Sequence, residues 1–161
     1  MAISKRIIVQ QIVEQLTEQL GTLADASRTM HADASDEQNK AEDKYDTRGL
    51  ETAYLASSQA RLATEIENAI ATYQKLELRR FGKDDPIDLT ALVELESAGT
   101  RTLYFIGPSR GGMEIQHRGT EILVITTESP LGQQLIGKKT GDRIRLQTRG
   151  PAQEFRVLSV V

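Results

Sequence analysis

Apolar residues recur every three to four positions near the start of the chain, at Ile8, Ile12, Leu16, Leu20 and Leu23, with Gln, Glu and Thr between them. This is the period of an amphipathic helix with one buried stripe. The spacing returns at Leu55, Leu62, Ile66, Ala69, Tyr73 and Leu76, flanked by Arg61, Glu65, Glu67 and Lys75. Two such helices, with a polar segment between them and no third apolar partner nearby, are expected to cover each other's stripes as an antiparallel coiled coil. The bend falls within residues 34–50, where "ASDEQNKAEDKYD" is rich in helix formers and nearly devoid of large apolar residues. An unbroken helix from Ile7 to about Asp43 would span roughly 55 Å at about 1.5 Å per residue. The first half therefore reads as a probe.

The pattern then changes. "TRTLYFIG", "GMEIQHRG", "TEILVITTE", "DRIRLQT" and "QEFRVLSVV" are short β-branched or alternating runs cut by Gly and Pro, the grammar of strands. "SPLGQQLIGKKTGD" interrupts them as one short helix, with Ser129 as N-cap, Pro130 at the first helical position and Gly137 at the C-cap. All four prolines and ten of the twelve glycines lie at or beyond Gly82, so a domain boundary is expected in "RRFGKDDPID". The fold class is α+β. Residues 1–80 form a helical hairpin with its tip at about 38–48, and 81–161 form a small, mostly antiparallel β-rich domain.

Composition narrows the function. An apolar fraction of 39% is lean for a globular protein and suits an elongated shape. Net charge is −3 and no Lys/Arg run marks a stripe, so a direct electrostatic grip on nucleic acid is not expected; any such role passes through a partner. With no cysteine there is neither a disulfide nor a thiolate metal site, and the two histidines, His31 and His117, are far apart. "MAISKRIIVQQIVEQL" reads as an amphipathic helix rather than a signal peptide, and no apolar run approaches the length of a membrane span. A cytoplasmic monomer is the expectation.

"SPLGQQLIGKKTGDRIRL", with "EFRVLSVV" closing the chain, resembles the C-terminal signature of the GreA/GreB transcript cleavage factors, through Ser129, Pro130, Leu131, Gly132, Leu135, Gly137, Lys138, Gly141 and Asp142. The resemblance implies an FKBP-like globular domain behind a coiled coil that enters the secondary channel of bacterial RNA polymerase. In that family the hairpin tip carries G-D-L-x-E-N-A-E-Y-x-x-A, whose Asp and Glu are the functional acids. Matching Tyr54 to its tyrosine without a gap puts Thr47 and Leu50 at the acids' positions; one extra helical turn puts Asp43 and Asp46 there.

The activity implied is metal-assisted hydrolysis of backtracked RNA, with Mg²⁺ shared between the polymerase and the tip. Mg²⁺ takes oxygen ligands and is commonly held by one or two carboxylates, so Asp43 and Asp46, one turn apart, are the candidate catalytic and metal-holding acids. Glu42 points about 100° away from Asp43 on a helix and is a candidate auxiliary charge. The competing reading of these acids is solvation at an exposed turn, with Lys40, Lys44 and Arg48 as ion-pair partners. His31 near the distal end of the first helix is a weaker candidate neighbour of the acids. Tyr45 is a candidate partner contact, whereas Tyr54 reads as seam packing. "GKKTGDR" places Lys138, Lys139 and Arg143 around a Gly-bounded turn, either solvated or part of a partner surface. "GPSRGGMEI", with Gly111 and Gly112 beside Arg110, lacks phosphate-loop spacing and reads as a hairpin connection.

Three functional classes remain. The first is a polymerase-binding regulator that is not itself an enzyme and has no cofactor of its own, with a variant that inhibits without stimulating cleavage. The second is an FKBP-like peptidyl-prolyl isomerase, which needs an aromatic-lined pocket that Tyr104, Phe105 and Phe155 would have to supply. The third is a structural coiled-coil adaptor.

Overall fold

The computed structural model of the protein describes residues 2–35 and 48–161, with side chains described at 2–26, 28, 29 and 56–161. The elements are α1 (Lys5–Ser35), α2 (Arg48–Gln74), β1 (Leu92–Ser97), β2 (Thr100–Gly107), β3 (Glu114–His117), β4 (Thr120–Thr126), α3 (Pro130–Leu135), β5 (Arg143–Leu146) and β6 (Gln153–Val160). The fold class is that read from the pattern: a helical hairpin followed by a β-rich domain. Two compact units divide the chain, one made of Met1–Ile12 with Lys75–Val161 and the other of Val13–Gln74. No described helix is long and apolar enough to cross a membrane.

In the Val13–Gln74 unit, Leu16, Ile66, Ala69 and Tyr73 are buried, and Leu20 and Leu23 half-buried. Leu62, expected on the seam, is 38% exposed. Partial or full burial recurs instead at Ala56, Gln59, Ala63, Ile66, Ile70 and Tyr73, a three-four alternation that is the heptad rhythm of a coiled coil. Leu62 stands one position, about 100°, off that line. Before Ile66 the stripe holds only alanine and glutamine, which is why a search for large apolar residues misplaces it there. Threonines within the helices return their hydroxyls to the carbonyl four residues back, as Thr17 does to Val13 at 2.7 Å and Thr72 to Asn68 at 2.8 Å.

In the other unit, six strands form one sheet in the order β3-β4-β2-β1-β6-β5. Every neighbouring pair is antiparallel except β2 with β4, which are parallel. β1 lacks strand grammar, because Leu, Glu and Ser in "LVELES" carry no strand preference of their own. Pairing on both edges, with β2 and β6, overrides local propensity. The segment after β2 is not a hairpin connection. β4 lies between β2 and β3, so residues 108–113 must cross a strand's width on each side, roughly 10 Å, which a tight turn does not span. Gly112 N–H donates to Val124 O and Val124 N–H to Met113 O, both at 2.8 Å, stitching this crossover to β4.

The core lies mainly on one face of the sheet, where Val93, Leu95, Ile106, Ile144, Phe155, Val157 and Val160 meet Phe81, Ile87, Leu131 and Leu135. Alternation places Leu92, Phe105, Ile115, Ile122 and Val124 on the other face, and these too are almost fully buried. Ile8 and Ile12, in the same compact unit, are 0% exposed.

Candidate functional site

The expected tip acids Glu42, Asp43 and Asp46, together with Tyr45, lie outside the described residues, as do Lys40 and Lys44. The structure gives their setting: α1 runs to Ser35 and α2 begins at Arg48. His31 is on α1 and Tyr54 on α2, and their side chains too lie outside the described ones. Among the described residues no three His, Cys, Asp or Glu side chains cluster to hold a metal ion.

The motif "SPLG" is accounted for residue by residue. Ser129 has extended backbone (φ −63°, ψ 153°), and its Oγ accepts from Gly132 N–H at 3.1 Å and donates to Thr126 O at 2.8 Å. It thus satisfies an orphan helix amide while tying α3 to the end of β4. Pro130 occupies the first turn, where its missing N–H costs nothing. Gly132 sits against β4 so closely that a Cβ there would lie 1.9 Å from Thr126 O. Leu131 and Leu135 then face the core.

Beyond α3 the chain builds a platform for three of the expected partner residues. Gly137 (φ +84°) ends the helical path after the cap residue Ile136, and Gly141 (φ +93°) closes the turn. Backbone hydrogen bonds fix both ends: Ile87 N–H to Lys138 O at 2.7 Å, Gly137 N–H to Ile87 O at 2.9 Å, Gly141 N–H to Val157 O and Val157 N–H to Asp142 O at 2.8 Å. Asp142 Oδ2 accepts from Lys139 N–H at 2.8 Å. Lys138 and Lys139 are exposed on this rigid turn, and Arg143 opens β5 with an ion pair to Glu154 at 3.7 Å.

Sequence reading missed further cations on the same hairpin. Arg145, Arg149 and Arg156 are exposed, and none of the three forms an ion pair or side-chain hydrogen bond among the described residues. The signal for them is the alternation R-I-R, which puts Arg143 and Arg145 on one face of a strand; a search for consecutive cations passes over it.

A second cluster roots α1 in its unit. The Lys5 ammonium donates to Arg79 O, and to Val161 O at 3.1 Å; Lys5 and Arg79 stand 4.9 Å and 4.8 Å from the centroid of the Phe81 ring. Burial lowers the Lys5 pKa from its ordinary 10.5. Arg79 N–H donates to Thr90 Oγ1 at 3.1 Å, and its guanidinium lies 3.8 Å from Asp88. Thr90 itself is 2% exposed and holds a φ of 72°, rare for a β-branched residue, with its N–H bound to Ile106 O at 2.9 Å. Neither the cluster nor the strain is legible from the sequence.

The expected isomerase pocket would draw on Tyr104, Phe105 and Phe155. Phe105 and Phe155 are buried, on opposite faces of the sheet, and Tyr104 is only part-buried, its pKa raised by that burial against a hydrogen bond with the Thr102 side chain. The three do not converge on one cavity wall.

Comparison with known proteins completes the picture. The profile of the C-terminal domain of the transcription elongation factors GreA/GreB matches residues 83–161. The transcription inhibitor protein Gfh1 of Thermus aquaticus is 25% identical over 154 residues, covering 94% of this chain and 90% of its own. The transcription elongation factor GreA of Syntrophus aciditrophicus is 29% identical over 98 residues, 60% of this chain and 56% of its own. Among solved structures, Thermus aquaticus Gfh1 aligns at 26% identity with a TM-score of 0.40, over 91% of this chain and 92% of that one.

Proposed function

We propose that this chain, whose residues 83–161 match the C-terminal domain of the transcription elongation factors GreA/GreB, is a divergent member of that family and a regulator that binds bacterial RNA polymerase and modulates elongation. The globular domain docks on the enzyme's exterior and the α1–α2 hairpin carries the acidic segment into the secondary channel. The protein acts in the cytoplasm and is not an enzyme by itself; it alters what the polymerase does. The match of the whole β-rich domain, behind a helical hairpin, carries this reading.

The tip chemistry is assigned to Asp43 and Asp46, with Glu42 as an added charge. Their donor set is carboxylate oxygen, the ligand type that Mg²⁺ takes, and an incomplete pair of acids suits a metal shared with the polymerase. When bound, such an ion stabilises developing charge on a phosphodiester and activates water. The role of this chain is to deliver the two carboxylates at the end of a helical shaft; Tyr45 contacts the channel wall.

A second reading, inhibition without cleavage, is favoured by one observation: the relatives aligned over 94% of the chain, hairpin included, are named transcription inhibitors.

Stalled, backtracked RNA polymerase tests both. Added protein shortens the transcript, and Asp43→Ala or Asp46→Ala abolishes the shortening, if the acids act as proposed. Binding that slows transcription with no shortening refutes metal delivery and establishes the second reading. No binding at all refutes the assignment to polymerase.

A further inference from the structure

We propose that the exposed face of the β5–β6 hairpin is a docking surface for an acidic protein surface, with Arg145, Arg149 and Arg156 as its contact cations. This rests on the reading of the protein as a polymerase-binding factor and names the chemistry of the surface that its globular domain seeks.

Charge is concentrated here out of proportion to the chain. Residues 138–156 carry six cations (Lys138, Lys139, Arg143, Arg145, Arg149, Arg156) and two acids (Asp142, Glu154), in a protein whose net charge is −3. The strand register gathers four of these eight groups on one face: Arg143 stands opposite Arg156 and Arg145 opposite Glu154, while the alternate pair Ile144 and Phe155 points into the core. Like charges directly opposite each other across a sheet are destabilising; Glu154 offsets the Arg143–Arg156 pair from within the hairpin and Glu96, opposite Arg156 on β1, from its other side, which leaves Arg145 and Arg149 as the surplus cations. Glu154 is engaged by Arg143, and both side chains remain about two-thirds exposed, at 65% and 68%. Arg156, opposite Glu96 on β1, lines an open depression together with Glu96, Ala98, Arg143, Glu154 and Phe155.

The chemistry favours protein over nucleic acid. Glu154 and Glu96 are interleaved with the arginines in the same depression, which repels a continuous phosphate backbone but matches a mixed, mainly acidic protein surface. Arginine is also the cation enriched at protein interfaces. β5 is an edge strand, yet it is only four residues long and flanked by charge, which disfavours simple strand addition and leaves the side-chain face as the contact. The platform is stiff: β6 is paired on both sides, and the turn before β5 is fixed by backbone hydrogen bonds to Ile87 and Val157.

The test uses the full chain with Arg145→Gln, Arg149→Gln and Arg156→Gln combined, and core RNA polymerase as the probe, with binding followed by fluorescence anisotropy at several salt concentrations. Affinity at low salt should fall about tenfold or more, and the salt dependence should flatten, while Lys83→Gln, an exposed cation elsewhere in the same unit, binds as the wild type does. The same triple change to Lys keeps the charge and most of the binding. Arg149→Gln alone, in the loop between the strands, gives a several-fold loss should the triple variant fail to fold. Wild-type affinity in the Gln variants overturns the inference. Undiminished polymerase binding with lost binding to duplex DNA or single-stranded RNA also overturns it, and assigns the face to nucleic acid. Absence of polymerase binding by the wild type itself overturns the polymerase reading, and this inference with it.

Discussion

Gly132→Ala is the sharpest test of how the "SPLG" motif works. In an isolated helix the change is favourable by about 1 kcal/mol, since alanine is the better helix former. Here the new Cβ would stand 1.9 Å from Thr126 O, 2.9 Å from Thr126 C and 2.8 Å from Ser129 Oγ, where ordinary contact begins at 3.4 Å. The nearest atom is backbone, so the helix must withdraw from β4 by about 1.5 Å. That movement breaks the cap in which Ser129 Oγ links Gly132 N–H and Thr126 O, worth about 1 kcal/mol, and adds an overpacking cost of about 1–3 kcal/mol. The net expectation is a loss of roughly 2 kcal/mol. Since the chain has two compact units and need not unfold in one step, the readout is amide hydrogen exchange of α3 and β4 alongside urea unfolding. Gly21→Ala is the matched control: on α1, with nothing within 4 Å of the added methyl, it should stabilise by up to about 1 kcal/mol. Equal or greater stability of Gly132→Ala would refute the close-approach argument.

Other expectations come from the same kind of geometry. Ile66→Ala, at a position 2% exposed, should cost about 2–5 kcal/mol of hairpin stability by thermal melting, whereas Leu62→Ala, at 38%, should cost under about 1 kcal/mol; reversed costs would mean that the seam runs through Leu62. Phe81→Leu keeps an apolar side chain but removes the ring beneath Lys5 and Arg79, with an expected loss of about 1–2 kcal/mol in urea unfolding, of which Lys5→Met reproduces a part. Tyr104 has its pKa raised above 10.0, so above that pH the folded state keeps a proton that the unfolded chain has lost. Stability therefore declines as pH rises from 10.0 to the folded-state value, and the same decline should be smaller in Tyr104→Phe.

Where the chain speaks through local chemistry, its structure is legible. Thr100–Gly107 alternates and is bounded by glycines, and it is β2 end to end; Ser129 and Pro130 announce α3 because a cap and a first-turn proline act on neighbouring backbone. Where tertiary pairing decides, local reading fails. "LVELES" becomes a central strand only because β2 and β6 lie on either side of it, and the crossover at 108–113 depends on β4 inserting between strands adjacent in sequence. The first turns of the α2 seam are misread for a related reason: Ala56, Gln59 and Ala63 mark the buried line by fitting it rather than by being strongly hydrophobic. The tip is hardest. Residues 36–47 hold no large aliphatic side chain, so no apolar stripe fixes their helical phase, and phase is what would decide whether Asp43 and Asp46 share a face.

The proposed docking and tip chemistry are assigned to different parts of the chain and to charges of opposite sign, and this separates them experimentally. On that proposal, the cations of residues 138–156 set how often and how long the factor occupies the polymerase, through steering and contact. Asp43 and Asp46 are proposed to set what happens once it is there. A variant neutral at the tip but intact at β5–β6 should therefore bind like the wild type and displace it, cancelling its effect in proportion to the concentration added. A variant neutral at β5–β6 but intact at the tip should keep the sign of the effect and require more protein to reach it. If the tip variant lost binding in step with activity, the two roles would share one surface, and the assignment of docking to the globular domain would fail.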